Sequence, residues 1–197
     1  MSMQNSRILI GLSLSAIAST LIGAAAALHS ASAQAERADR EKPVRIQADF
    51  APVDDKTKTV TLEGHVKITQ GTLVILANKA IVTQDADGFQ TAVAISGEGN
   101  LARLQQKREG KNEMVYAEGE RIEYDARTEK AKLIKRAWIR MGVGNEACAD
   151  NIEYNAQNET YQATRSGTKP GDQVEIVLPG KAAQSAPAVA ITCERKK

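Results

Sequence analysis

The sequence predicts an all-β fold, a stack of antiparallel hairpins arranged as two facing sheets. Three observations carry that expectation. Period-two hydropathy recurs from about residue 43 to residue 178, and no window beyond the N-terminal stretch has the 3.6-residue period of an amphipathic helix. Polar turn clusters separate these stretches. A small residue followed by an acid or Asn recurs as Ala48-Asp49-Phe50, Ala77-Asn78-Lys79, Ala117-Glu118-Gly119 and Ala149-Asp150-Asn151, at spacings of 29, 40 and 32 residues. A loose period of that size marks one supersecondary unit repeated along the chain.

Taken in order, residues 1–33 read as a cleaved secretory signal. Arg7 precedes the apolar stretch Ile8 to Leu28, and Ala31-Ser32-Ala33 or Ala33-Gln34-Ala35 supplies an A-x-A cleavage site. The stretch is long enough to span a bilayer, but Gly11, Ser13, Ser15, Ser19, Thr20 and Gly23 dilute it. Residues 34–42 are a polar, charged leader, and roughly 160 residues remain after cleavage, one domain's worth. Residues 43–180 form that domain.

The strand signal is clearest from Lys58 to Gln70. Val60, Leu62, Val66 and Ile68 take the even positions, against Thr59, Thr61, Glu63, His65, Lys67 and Thr69. One face is therefore expected to be buried and the other wet, with Gly64 marking a bend or bulge. Leu73, Ile75 and Ala77 follow the turn at Gln70-Gly71. Phe89, Thr91, Val93 and Ile95 alternate with Gln90, Ala92, Ala94 and Ser96. Ala131, Leu133, Ala137, Ile139 and Met141 share a parity against Lys130, Lys132, Arg136 and Arg140. Val174, Ile176 and Leu178 close the series. Asp87-Gly88 and Lys111-Asn112 are hairpin-turn candidates. At about 8 to 12 residues per strand and turn, the domain holds roughly 12 to 16 strands. The Ala- and Pro-rich tail, 181–197, is expected to be disordered.

The chain carries no catalytic constellation. Once the signal is removed, His65 is its single histidine, and it falls on the wet face of a strand. A metal site needs several convergent ligands, and none is spaced for one. No G-x-S-x-G, Walker or G-x-G-x-x-G pattern occurs. Asp49, Glu118 and Asp150 recur at equivalent turn positions, which favours backbone capping over catalysis. Acids and bases nearly balance, so nucleic acid is not an expected partner, and no cofactor is expected. Cys148 and Cys193 are a possible disulfide in an oxidising compartment. Because Cys193 lies in the tail, the expectation is that Cys193→Ser leaves the melting temperature unchanged.

The expected core is short of aromatics, with Phe50, Phe89 and Trp138 as its few large apolar anchors. Such an interior is either a thin, packed sandwich of Val, Ile and Leu or a gap between sheets that accepts apolar chains. Composition does not choose between them.

Pro43-Val44-Arg45-Ile46-Gln47-Ala48-Asp49, Leu62-Glu63-Gly64-His65-Val66-Lys67-Ile68-Thr69-Gln70-Gly71-Thr72-Leu73 and Ala77-Asn78-Lys79-Ala80-Ile81-Val82 resemble the periplasmic lipopolysaccharide-transport family of LptA. So does the stretch from Ala149-Asp150-Asn151-Ile152-Glu153-Tyr154 through Tyr161-Gln162-Ala163. His65 replaces the family's usual Asn, and Asn78 its usual Asp. The resemblance implies an open-ended β-jellyroll whose apolar groove holds the acyl chains of lipid A. Val60, Leu62, Val66, Ile68, Leu73, Ile75, Leu133, Ile139 and Met141 would line it. It also implies head-to-tail stacking through the edges at Val44, Ile46, Val174, Ile176 and Leu178. The implied partners are lipopolysaccharide, an inner-membrane LptC-like jellyroll of the transport ATPase complex, an outer-membrane LptD-like insertase and further copies of the chain. A membrane-anchored LptC-like jellyroll and a β-sandwich adhesin are the competing expectations.

Overall fold

The computed structural model describes residues 41–167 and 173–180, so the signal, most of the leader and the tail lie outside the described residues. Twelve strands are described: β1 (Arg45–Gln47), β2 (Val53–Asp54), β3 (Thr59–Gln70), β4 (Leu73–Gln84), β5 (Gln90–Ile95), β6 (Ala102–Lys107), β7 (Met114–Gly119), β8 (Arg121–Asp125), β9 (Lys130–Met141), β10 (Asn145–Asn155), β11 (Thr160–Thr164) and β12 (Glu175–Val177). All are antiparallel and belong to one folded sheet.

The pairing reveals how that sheet is folded. The four long strands β3, β4, β9 and β10 each bend near their middle and serve two layers. Residues 79–84 of β4 pair with β5, whereas 74–76 pair with β6. Residues 130–134 of β9 pair with β8, whereas 138–141 pair with β7. One layer therefore runs β2, β3, β4, β5, β8, β9, β10, β11, and the other runs β1, β3, β4, β6, β7, β9, β10, β12. The result is a V-shaped meander of eight rungs, the first formed by β1 and β2 and the last by β11 and β12. At about 4.8 Å between neighbouring strands, eight rungs span roughly 34 Å.

The recurring small-plus-acid units sit at the bends. Between Glu63 and Val66 the β3–β4 register shifts, with Gly64 and His65 at φ +73° and +43°. Lys135 and Arg136 have φ +60° and +49° at the bend of β9. Asp49 binds the next rung through its backbone N–H, which donates to the carbonyls of Glu63 and Gly64 at 3.1 and 3.0 Å, and its carboxylate Oδ2 lies 2.7 Å from His65 Nδ1. At the other end of the stack, Asp150 Oδ2 accepts from the Ser166 N–H at 2.7 Å. These acids tie neighbouring rungs together at the fold line, a structural task.

The core lies between the two layers. Leu62, Val66, Ile75, Ile122, Leu133, Ile139 and Ile152 are fully buried there. Ala80, Ala94, Ala102, Ala117, Ala137 and Ala149 are buried within a few residues of the bends. The layers converge at the fold line, so only short side chains fit, which accounts for the alanine-rich composition.

Two expectations about the core are corrected. Along β5 the inward residues are Ala92 and Ala94, while Val93 and Ile95 are only half-buried and Phe89 is 42% exposed. The apolar parity there was misleading because the convergent layers exclude the larger set. Phe50 is 62% exposed, and Trp138 is buried on the outer face, against Cys148 and Tyr116. None of the three aromatic anchors fills the space between the layers.

Candidate functional site

Opposite the fold line, the V is open. One rim is the row of turns 54–59, 84–90, 125–130 and 155–160; the other is the row 70–73, 107–114 and 141–145. All nine residues expected to line a groove point into the space behind these rims. Leu62, Val66, Ile68, Leu73, Ile75, Leu133, Ile139 and Met141 are buried, and Val60 is half-buried at the first-rung end.

The space is packed in the middle and open at the first rung. There, Val44 and Ile46 of one layer face Val53, Val60 and Val82 of the other across a cavity of about 300 Å³, with Asp54, Asp55, Lys58, Gln84 and Gln90 at its mouth. A second cavity of about 320 Å³ follows along the seam, between Gln70 on one rim and Phe89, Arg127, Glu129 and Gln157 on the other. Both lie at the lower end of the range for ligand-binding cavities. Arg127 caps this stretch: its guanidinium lies 4.3 Å from the Phe89 ring centroid and binds Asp85 and Asp87 at 2.7 Å each. These acids raise the Arg127 pKa, and Arg127 in turn lowers that of Asp85.

Further along, the seam is clasped shut. Arg108, on the turn after β6, sends Nε and Nη2 to the two carboxylate oxygens of Glu159, on the opposite rim, at 3.0 and 2.7 Å. Lys111 Nζ reaches the same carboxylate at 2.7 Å, and Glu113 holds Arg108 Nη1. The hydrogen bond from Arg108, with support from Lys111, draws the Glu159 pKa below its ordinary value despite burial. Beneath the clasp, burial pushes the Tyr154 hydroxyl up to about 12. The space there shrinks to about 40 Å³.

The terminal edges lie at opposite ends of the stack. In the described residues, β1 pairs with β3 and β12 with β10. Val44, Ile46 and Val174 are half-buried; Ile176 and Leu178 are exposed. The sequence reading missed β2 and β11, which complete the two end rungs. It also missed the clasp, whose partners stand 51 residues apart on turns that carry no shared motif. Cys148, one of the two cysteines expected as a possible disulfide, is disulfide-bonded. Cys193, the chain's other cysteine, lies outside the described residues.

Two bent layers enclosing an aliphatic interior, open at the first rung and clasped further along the seam, define a β-jellyroll. The profile of the family described as "LptA/(LptD N-terminal domain) LPS transport protein" matches residues 45–160, and the chain belongs to that family. It is similar to the lipopolysaccharide export system protein LptH of Pseudomonas aeruginosa, with 31% identity over 83% of this chain and 95% of that protein. It is also similar to the lipopolysaccharide export system protein LptA of Escherichia coli K12, with 28% identity over 64% of this chain and 66% of that protein. The crystal structure of LptH, described as the LptA-homologous periplasmic component of the lipopolysaccharide transport device of P. aeruginosa, superposes with a TM-score of 0.64 at 28% identity. It covers 72% of this chain and 99% of LptH. The chain is thus a lipopolysaccharide transport protein and not an enzyme. Among the described residues no helix is long and apolar enough to cross a membrane.

Proposed function

We propose that this chain carries lipopolysaccharide through the periplasm by lodging the acyl chains of lipid A between its two layers. In this reading it links an inner-membrane jellyroll of the LptC type to an outer-membrane insertase of the LptD type. The observation that carries the reading is the aliphatic inner face, continuous over eight rungs and open at the first. Each CH₂ removed from water contributes about 0.8 kcal/mol, so an acyl chain of roughly a dozen carbons gains on the order of 10 kcal/mol on entry. The packed middle rungs must part to accept it. In this reading first contact is made at the Val44–Ile46–Val53–Val60–Val82 mouth, and the cavity already open there supports it. The sugar and phosphate head would stay outside, along the polar rims.

Photo-crosslinking in cells tests this. A crosslinking residue at Val60, Val82 or Ile46 is expected to capture lipopolysaccharide, and one at Thr61, Lys67 or Lys132 is not. Equal labelling of inner and outer faces would overturn the groove.

A further inference from the structure

The outer face of the layer formed by β4, β6, β7, β9, β10 and β12 is covered where it is expected to be bare. Ala137, Ile139 and Ala147 point into the core, so Trp138, Glu146 and Cys148 point away from it. Yet Trp138 is 7% exposed, and Glu146 and Cys148 are each 2% exposed. Every described strand belongs to the folded sheet itself, so none lies over this face as a second layer. Glu146 accepts from Trp138 Nε1–H at 3.4 Å and sits 3.9 Å from Arg140. Arg140 stands over both the Tyr116 and Trp138 rings, 5.0 and 5.5 Å from their centroids. Beside them a depression of about 270 Å³ runs across the sheet, lined by Val74, Leu76, Gln105, Tyr116 and Trp138. Leu76 at its far end is 40% exposed.

We propose that the occupant of this face is the chain's own C-terminal segment, residues 181–197, drawn across it as a strap and locked by a disulfide between Cys193 and Cys148. The inference is independent of the lipid reading, and three arguments support it.

Cys148 is disulfide-bonded and the sequence contains one other cysteine. Its side chain emerges on this face, so the bond brings Cys193 onto the face.

The length fits. The chain leaves the described residues at Gly180, just after Pro179, which packs beside Gly144 at the start of β10. Crossing from β10 over β9, β7 and β6 to β4 takes four strand spacings, about 19 Å, so out and back takes about 38 Å. The twelve residues between Gly180 and Cys193 reach about 40 Å when extended.

The side-chain period fits as well. In an extended strap, Val189, Ile191 and Cys193 share one face. With Cys193 held at β10, Ile191 falls about 7 Å away, over Trp138 and Tyr116, and Val189 about 13 Å away, over the depression toward Leu76. The small residues Ala188, Ala190 and Thr192 then face outward. Such a strap also holds the three-residue strand β12 against β10, because Cys148 is the register partner of Glu175.

Trp138 is the single tryptophan, so its fluorescence reports this face alone. In the full chain, oxidised, blue-shifted emission and weak quenching by acrylamide are expected. Val189→Asp with Ile191→Asp, the disulfide intact, is expected to shift emission to the red and raise the quenching constant several-fold, with the far-ultraviolet circular dichroism unchanged. Reduction of the wild type, and Cys193→Ser, are expected to do the same. Unchanged quenching in the folded double variant overturns the strap. So does a chain ending at Gly180 in which Trp138 stays protected. Protection of that shortened chain that grows with protein concentration would assign the face to a second copy and equally overturn the proposal.

Discussion

Arg108 and Glu159 meet across the open seam, guanidinium to carboxylate, through two parallel hydrogen bonds of 3.0 and 2.7 Å. Their side chains retain only 14% and 24% of their exposure, so solvent screens the pair less than a surface ion pair. Lys111 Nζ joins the same carboxylate from the same rim at 2.7 Å. The clasp therefore divides the seam into a first-rung stretch that is open and a later stretch that is closed.

Arg108→Ala leaves the Glu159 carboxylate half-buried with Lys111 as its remaining cation. We expect a loss of about 1–3 kcal/mol in denaturant unfolding. If the clasp also limits lateral access, a crosslinker at Leu73 or Tyr154 will capture lipopolysaccharide more strongly in the variant. A variant as stable as wild type, with unchanged crosslinking, would remove the clasp from the mechanism.

The same pair sets a pH dependence. Arg108 lowers the folded-state pKa of Glu159, so the unfolded chain binds this proton more tightly. The stabilisation is fully present above the ordinary carboxylate value of about 4.3 and is lost as pH falls through the lowered folded value. Arg108 remains charged throughout, its own pKa raised by the same contacts. Glu159→Gln is expected to be less stable than wild type at pH 7 and to show a flatter loss of stability between about pH 5 and pH 3. Parallel acid profiles for the two proteins would assign the acid sensitivity elsewhere.

Much of this architecture was legible in the sequence because β-structure writes itself as a period of two. The even-numbered run Val60, Leu62, Val66 and Ile68 is the inward face of β3, and Gly64 marks its bend. Legibility failed where two layers converge. At the fold line the room between the layers decides which set of alternating residues goes inside, so Ala92 and Ala94 displaced Val93 and Ile95. The recurring Ala–acid units were visible as repeats, but their task was not. Only the pairing shows that Asp49 and Asp150 tie successive rungs together at the bends. The Arg108–Glu159 clasp is a contact between turns on different layers, and no local pattern encodes it.

The Asp49–Gly64 contact offers a direct test of the bend. A Cβ added to Gly64 would lie 2.1 Å from Asp49 Oδ2, and its φ of +73° disfavours any larger residue. Gly64→Ala is expected to cost more than about 1 kcal/mol. Asp49→Ala in the same chain should recover the carboxylate's share of the steric cost and leave the conformational part, together with the residual crowding from the residue-49 Cβ, which lies 2.9 Å away. A double-mutant cycle in urea measures the coupling, and strictly additive effects would show that the carboxylate moves aside at no cost.

Convergence of the layers makes a further prediction. Leu62→Ala empties a fully buried site and is expected to cost about 2–5 kcal/mol. Ala94→Leu overfills one and is expected to cost about 1–3 kcal/mol. Thermal unfolding measures both. A stabilised Ala94→Leu protein would mean that the layers stand further apart at the fold line than the packing indicates.

The end rungs make the last prediction, which concerns assembly. Head-to-tail stacking would set β11 and β12 of one copy against β2 and β1 of the next, so that both layers continue across the joint. Ladder hydrogen bonds would fix the orientation, and Ile176 and Leu178, both exposed, would meet Val44, Ile46 and Val53. A contact between unlike ends does not close on itself and so grows into a filament. Because each end rung has two strands, a proline in β12 alone removes only half of the ladder. Ile176→Pro is expected to weaken association, and Ile176→Pro with Gln162→Pro to abolish it, since proline cannot donate to a ladder. Each variant first needs native-like circular dichroism, because a proline whose N–H faces β10 would damage the fold itself; moving it by one residue turns that position outward. Light scattering across a concentration series is expected to show growth in wild type, shallower growth in the single variant and a fixed monomer in the double. If the folded double variant still forms rods, the copies join through some surface other than their terminal edges.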